Sequence, residues 1–222
     1  MATVLFVAPH QDDETLSMGA SIRKHLEVGH DVHVLLLTYG VNSAVRPATG
    51  LDRPQFTRAR DDEMFRATRA LGVTGRNVHV SRHSCEDGVL TVQGAEDAMR
   101  AWLNDHPGAW LKAYSNLSAT GRHGDHVTAG QAAVNLLAAG VVPNLRLYVE
   151  PWARDAFAAA HPTMPLTAER ATSHDRVKAA YTEYQDEDLP GRRYGIGYKS
   201  VGPYFDQLRT DPAGPASYYH LP

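Results

Sequence analysis

Cysteine is nearly absent from this chain of 222 residues: Cys85 stands alone, so no internal disulfide can form and a reducing compartment fits. Nor is there an apolar run of the roughly 20 residues that a membrane helix needs. The opening stretch Thr3-Val4-Leu5-Phe6-Val7-Ala8 is apolar but short, and no basic segment precedes it, so it does not read as a secretion signal. Strong charge of one sign is missing too. The formal net charge is −3 and no basic run occurs, which argues against a nucleic-acid surface. These absences lead to the expectation of a cytoplasmic protein with neither a membrane nor a nucleic acid as partner.

What is present is ordinary for a globular protein. Hydrophobic residues make up 43% and charged residues 21%. The length suits one core better than two, so a single domain over residues 1–222 is expected. Short apolar runs alternate with longer helical stretches. Strands are expected at Val4 to Ala8, Asp31 to Thr38, Asn77 to Ser81, Trp110 to Tyr114 and Leu145 to Val149. The continuous apolar run Val4 to Ala8 is that of a strand buried on both faces, and Asp31 to Thr38 reads as a second buried strand. Helices are expected from about Thr15 to Val28, from Pro54 to Leu71, from Gln93 to Asn104 and from about Val127 to Ala139. Gly29 and Gly72 are placed as C-terminal stops, and Pro54 as a start. Tyr39 to Gln55 reads as a long loop, a common place for function.

Strands alternating with helices predict an α/β, Rossmann-like three-layer fold with a mostly parallel sheet. Beyond Pro151 the rhythm fades. One more helix is expected from Ala168 to about Tyr184, then an irregular tail from Pro190 in which His220 belongs to a disordered end. His25, His30 and His33 read as structural or exposed, and Cys85 as a small buried filler. Tyr194-Gly195-Ile196-Gly197-Tyr198 neither follows an expected strand nor opens an expected helix, so it is no dinucleotide fingerprint.

Two polar clusters follow strands, where ligands bind in open parallel sheets. The first is His10-Gln11-Asp12-Asp13-Glu14; the second is His123-Gly124-Asp125-His126. His10 and Asp13 share one turn, and His126 offers a second imidazole. Two histidines and a carboxylate match the usual ligand count of catalytic zinc, which lowers the pKa of its water to about 7. A carboxylate outside the metal shell is then needed as general base, worth on the order of 10²–10⁴-fold, and Asp12 is that candidate. His123 is placed to stabilise an oxyanion or to protonate a leaving amine. Asp125 is expected to hold an imidazole, that of His123 first. Each cluster alone has a plainer reading. Asp12 and Asp13 precede a helix and would serve as N-cap carboxylates. A His-x-x-His spacing also means little in a chain with 12 histidines. Their joint placement at strand ends favours the metal reading, with the metal at the carboxyl edge of the sheet.

The same residues carry a family resemblance. Pro9-His10-Gln11-Asp12-Asp13-Glu14, continued by Thr15-Leu16-Ser17-Met18-Gly19-Ala20, resembles the first motif of the LmbE-like, or PIG-L, zinc-dependent de-N-acetylases. His123-Gly124-Asp125-His126 resembles their later His-Pro-Asp-His motif. Arg60, Glu63, Ala67 and Leu71-Gly72-Val73 resemble their Arg-x-x-Glu helix, Asp87-Gly88 a loop pair, and Lys178 with Gln185 a later helix. The resemblance spans about residues 3 to 187. It implies His10, Asp13 and His126 as zinc ligands, Asp12 as base, His123 as the oxyanion or amine partner, and Asp125 as an orienting group. It also implies Arg60 in substrate binding, with a plain Arg60–Glu63 helix pair as the competing reading. Gln11 and Gly124 stand where the family carries proline, and each is expected to loosen its loop. Some relatives carry a tyrosine where this chain has Gly121.

The activity implied is removal of an acetyl group from an N-acetylglucosamine-like conjugate, releasing acetate and a free amino sugar. A family amidase acting on a larger acyl group is the near alternative. A non-catalytic, metal-containing sugar-binding module is the alternative from another class, and a metal phosphoesterase a third. Zn2+ is the expected cofactor, although the ligand set would accept other divalent transition metals. A small-molecule amino-sugar conjugate is the expected partner, and a homo-oligomer stays open.

Overall fold

In the computed structural model, residues 1–117 and 124–222 are described. β1 (Thr3–Ala8), β2 (Asp31–Thr38), β3 (Val78–Cys85), β4 (Trp110–Tyr114) and β5 (Leu145–Val149) pair in parallel. The alternation of side chains splits β1 between two cores. Val4 and Phe6 join Val32, Val34 and Leu36 on one face, whereas Leu5 and Val7 join Leu35, Leu37 and Leu111 on the other. Both faces are covered, so β1 is apolar from Val4 to Ala8, whereas β3, at the edge, is mixed (VHVSRHSC) with Val80 exposed.

The helices close the two outer layers. α1 (Asp13–Leu16), α2 (Gly19–Glu27) and α4 (Arg53–Leu71) lie on the Phe6 side, with α3 (Arg46–Thr49) a short turn in the loop that follows β2. α5 (Val92–Leu103) and α6 (Gly124–Ala138) cover the Leu5 side with Ala98, Met99, Ala129 and Ala133. α4 starts where Asp52 and Gln55 form a reciprocal capping box, and it stops at Gly72, whose φ is 102°. α2 stops before Gly29, at φ 81°. The helix expected from Thr15 to Val28 is two helices. The break at Ser17 and Met18 leaves Ser17 Oγ 2.6 Å from the Tyr114 hydroxyl on β4, while α2 lays Ile22 on the sheet.

The last third departs most from expectation. α7 (Arg154–Ala160) follows a short turn at Pro151–Ala153. Where a helix was expected to begin at Ala168, β6 (Thr167–Glu169) runs instead, and α8 (His174–Gln185) starts after it. β7 (Glu187–Asp188) and β8 (Arg193–Tyr194) form a small hairpin, α9 (Ile196–Thr210) follows, and β9 (Ser217–His220) ends the fold. The sheet order is β3-β2-β1-β4-β5-β9-β6, and β9 pairs antiparallel with both neighbours. The tail is therefore structural: His220 is 1% exposed, with Nε2 2.8 Å from Ser115 Oγ. Strands this short carry too little alternation to be read from sequence. Among the described residues no helix is long and apolar enough to cross a membrane.

The strand order reverses between β1 and β4, where the chain leaves one side of the sheet for the other. Crevices at such switch points, beyond the carboxyl ends of strands, are where these folds bind ligands.

Candidate metal centre

The two loops meet at that switch point. His10 leaves the end of β1, Asp13 opens α1 and His126 lies in the first turn of α6. His10 Nδ1 is 3.1 Å from Asp13 Oδ2, and His126 Nε2 is 3.2 Å from Asp13 Oδ1 and 3.3 Å from His10 Nδ1. One donor atom from each residue lies within 4.8 Å of the others, and all three residues are buried. Three donors sharing a tetrahedral zinc at about 2.0–2.1 Å would stand about 3.3 Å apart, so the set fits the ion.

The outward nitrogens are also occupied. His10 Nε2 is 2.9 Å from Asp125 Oδ2, and His126 Nδ1 is 3.2 Å from Glu150 Oε1. Ionised carboxylates only accept, so each imidazole donates outward, and a metal at the centre would take the place of the proton on its inward nitrogen. Burial opposes charge on His10, but Asp125 and Asp13 outweigh it and raise its pKa. Burial likewise opposes charge on His126, yet Asp13 and Glu150 raise it to about 10. Asp13 is buried too, and the two imidazoles hold it well below the usual carboxylate range. A cluster that draws protons onto its imidazoles this strongly is one that suits a cation.

Asp12 faces the same cavity without joining the three donors. It occupies the N-cap position of α1, but its side chain makes no capping bond, so the plain cap reading fails. Its φ of 128° is a conformation that side chains rarely adopt. Burial, partly offset by the Arg60 guanidinium and reinforced by Asp13, pushes its pKa up to about 7. A carboxylate in that range is matched to taking a proton near neutrality.

Arg60 holds the loop in place. Nη2 donates to Asp12 Oδ2 at 3.0 Å and to the Gln11 carbonyl at 2.5 Å, and Nη1 donates to the Gly40 carbonyl at 3.0 Å. Arg60 lines the cavity, but these bonds occupy both of its terminal nitrogens. Glu63 accepts from Ile196 N and Gly197 N at 2.7 and 3.0 Å, so the helix-pair reading of Arg60 and Glu63 is replaced by two separate tethers. Those two bonds also correct the reading of Tyr194 to Tyr198. The segment does follow a short strand and does open α9, but Glu63 already fills the anion-accepting end of that helix. Gln11 does not loosen its loop. Its Nε2 donates to Asp61 Oδ1 at 2.7 Å and to the Tyr39 carbonyl at 3.2 Å, a side-chain stitch in the place of a proline ring.

His123, expected beside the leaving group, and Gly121 lie outside the described residues. Asp125 is found on His10 and also accepts from Gly88 N at 2.7 Å, so the imidazole it holds is one from the first cluster. Cys85 is half-buried, and burial with Asp125 and Asp87 nearby raises its thiol pKa, which suits a filler and not a nucleophile.

Two contributors escaped the sequence reading. Glu150 directly follows β5, so the strand-end rule that picked out the two clusters applied to it as well. Tyr114 ends β4, with its hydroxyl 3.0 Å from Asp13 Oδ1 and its ring 4.1 Å from that of His126; only strand register could have revealed that contact. Glu150→Gln is expected to weaken metal binding by about 10–100-fold, the usual effect of losing an outer carboxylate. Chelator competition measures it, and wild-type affinity would remove Glu150 from the centre.

The same fold occurs in solved structures of low identity. A triple mutant of a deacetylase of the teicoplanin biosynthetic pathway is 18% identical, with a TM-score of 0.71, over 100% of this chain and 97% of that one. N,N'-diacetylchitobiose deacetylase from Pyrococcus horikoshii is 17% identical, with a TM-score of 0.67, over 100% of this chain and 83% of its own. The 4-carboxy-2-hydroxymuconate hydratase of Pseudomonas putida is 18% identical, with a TM-score of 0.63, over 100% and 95%. Hydrolysis and hydration thus share this architecture, so the fold alone does not choose the reaction. No curated protein sequence matches the chain. The family described as PIG-L, GlcNAc-PI de-N-acetylase, matches residues 5–137, which include most of β1, all of β2 to β4, Asp12 and all three candidate ligands. The chain belongs to that de-N-acetylase family.

Proposed function

We propose that the protein is a zinc-dependent hydrolase that removes the acetyl group from the amide nitrogen of an N-acetylglucosamine-like conjugate, releasing acetate and a free amino sugar. The observation that carries this is a buried His10–Asp13–His126 donor set with a further carboxylate, Asp12, beside it and outside it. A divalent ion there would supply the Lewis acidity that amide hydrolysis needs. Asp12 accepts the proton of the attacking water, and Arg60 keeps that carboxylate in place. Asp125 and Glu150 orient the two imidazoles. His123 supports the tetrahedral oxyanion or the departing amine. Residues 1–222 act as one catalytic domain, because Glu150, Trp152 and Tyr204 line the same cavity as the family-matched part of the chain. The setting is the cytoplasm, with a small sugar conjugate as partner.

The test is acetate and free-amine release across a panel of N-acetylglucosamine conjugates. Chelation should reduce turnover to background and added zinc should restore it. His10→Ala and His126→Ala should lose the metal on elemental analysis. Acetate from none of the panel, or full activity in the chelated protein, would overturn the reading; release of a larger acyl group in its place would move it to the amidase alternative.

A further inference from the structure

The cavity around the metal centre measures about 870 Å³, far more than an acetamide needs, and its lining is uneven in charge. Asp12, Asp13, Asp87, Asp125 and Glu150 all contribute to it. Among the described residues that line it, Arg60 is the one permanent cation, and its terminal nitrogens are held by Asp12, Gln11 and Gly40. Even a divalent ion beside Arg60 does not neutralise five carboxylates. Away from the metal position, an anionic group entering here would meet repulsion, since the one permanent cation among the described lining residues is already engaged.

A second, independent feature lies in the same wall. Trp152 and Tyr204 line the cavity with their rings stacked, centroids 4.0 Å apart and planes within 8°. Trp152 belongs to the turn just after Glu150, so the aromatic wall is tied to the residue that orients His126. Tyr204 comes from α9 just past a break at Val201, where φ is −135° and ψ 27°, and next to Pro203. The break carries Ser200, Val201 and Tyr204 to the cavity. Tyr204 is 37% exposed, which leaves aromatic surface at an open rim. Exposed aromatic surface of this kind suits the flat C–H face of a sugar or an aryl group.

We propose that the cavity selects a neutral or amine-bearing amino-sugar conjugate that lays an aryl or flat apolar group on the Trp152–Tyr204 stack, and that it rejects conjugates carrying phosphate or carboxylate. This rests on the amino-sugar reading of the site and adds what the conjugate is made of.

Three probes test it with the zinc-loaded full chain: 4-nitrophenyl N-acetyl-β-glucosaminide, the methyl glycoside, and N-acetylglucosamine 1-phosphate. Binding is measured by calorimetry on Asp12→Asn, and kcat/KM from acetate release by the wild type. The aryl glycoside should bind about tenfold more tightly than the methyl glycoside, and the phosphate about tenfold more weakly. Trp152→Leu and Tyr204→Leu should bring the aryl preference to within about twofold, while Trp152→Phe keeps most of it. Asp87→Asn and added salt should each narrow the gap against the phosphate, as repulsion by charges predicts. Phosphate binding equal to or tighter than that of the methyl glycoside overturns the charge selection. An aryl preference unchanged in Trp152→Leu and Tyr204→Leu overturns the platform. If no probe releases acetate but these binding preferences hold, the deacetylase reading fails and the selectivity of the cavity stands.

Discussion

Asp12→Asn is expected to keep its zinc and to lose on the order of 10²–10⁴-fold in kcat, the usual worth of a positioned general base. The substitution preserves size and leaves an oxygen for Arg60 Nη2, which donates to the carboxylate at 3.0 Å. Asparagine also tolerates positive φ better than most residues, so the loop at 128° should survive. What the amide cannot do is accept the proton of the attacking water. The three donor atoms on His10, Asp13 and His126 are untouched by the change. Elemental analysis and steady-state rates of the same preparation separate the two roles. Wild-type kcat in the variant would remove Asp12 as the base, and loss of zinc would make it a ligand.

Gly130→Ala should be nearly as damaging through a different route. Gly130 is buried on α6, one turn beyond His126 and on the same face. A Cβ there would stand 2.4 Å from the Tyr114 carbonyl oxygen, 2.5 Å from Asn116 N and 2.9 Å from the Ser115 carbonyl carbon. All three are backbone atoms at the end of β4, so no side chain can swing aside. The helix must move away from the strand, and His126 moves with it. Overpacking of this kind costs about 1–3 kcal/mol, and backbone on every side places this case at about 3. The displaced imidazole should also weaken metal binding by about tenfold or more. Urea denaturation and chelator competition read the two effects, and wild-type stability would show that α6 has room the contacts deny.

Much of this was legible in the chain itself. β4 and β5 fall at the bounds expected of them, because each is a short, mostly apolar segment, broken only by Lys112 or Arg146, between polar loops. α4 ends at Leu71 because Gly72 supplies a positive φ. The candidate ligands could be named because strand ends of a parallel sheet collect function, and two acid–histidine clusters followed strands. What stayed hidden was pairing at long range. Arg60 has Glu63 as a helix neighbour one turn away, but its charge goes to Asp12 across 48 residues of chain. Gln11 looks like the loss of a stiffening proline until Asp61 is found opposite it. β6 and β9 escaped because three or four residues show no period, and their order depends on partners from other parts of the sheet.

The backbone of Asp12 carries a consequence of its own. Conformations of this class cost about 1–3 kcal/mol in a residue with a side chain, and glycine escapes most of that penalty. Here Arg60 and the hydrogen bond from Asp12 N to Glu14 Oε2, 3.1 Å long, hold the residue against it. A glycine at this position would relax the loop and delete the proton acceptor in one step. Any search for a hardier form of this protein that scores only its melting would therefore drift toward inert variants at this residue, while selection for turnover would keep the chain under tension there.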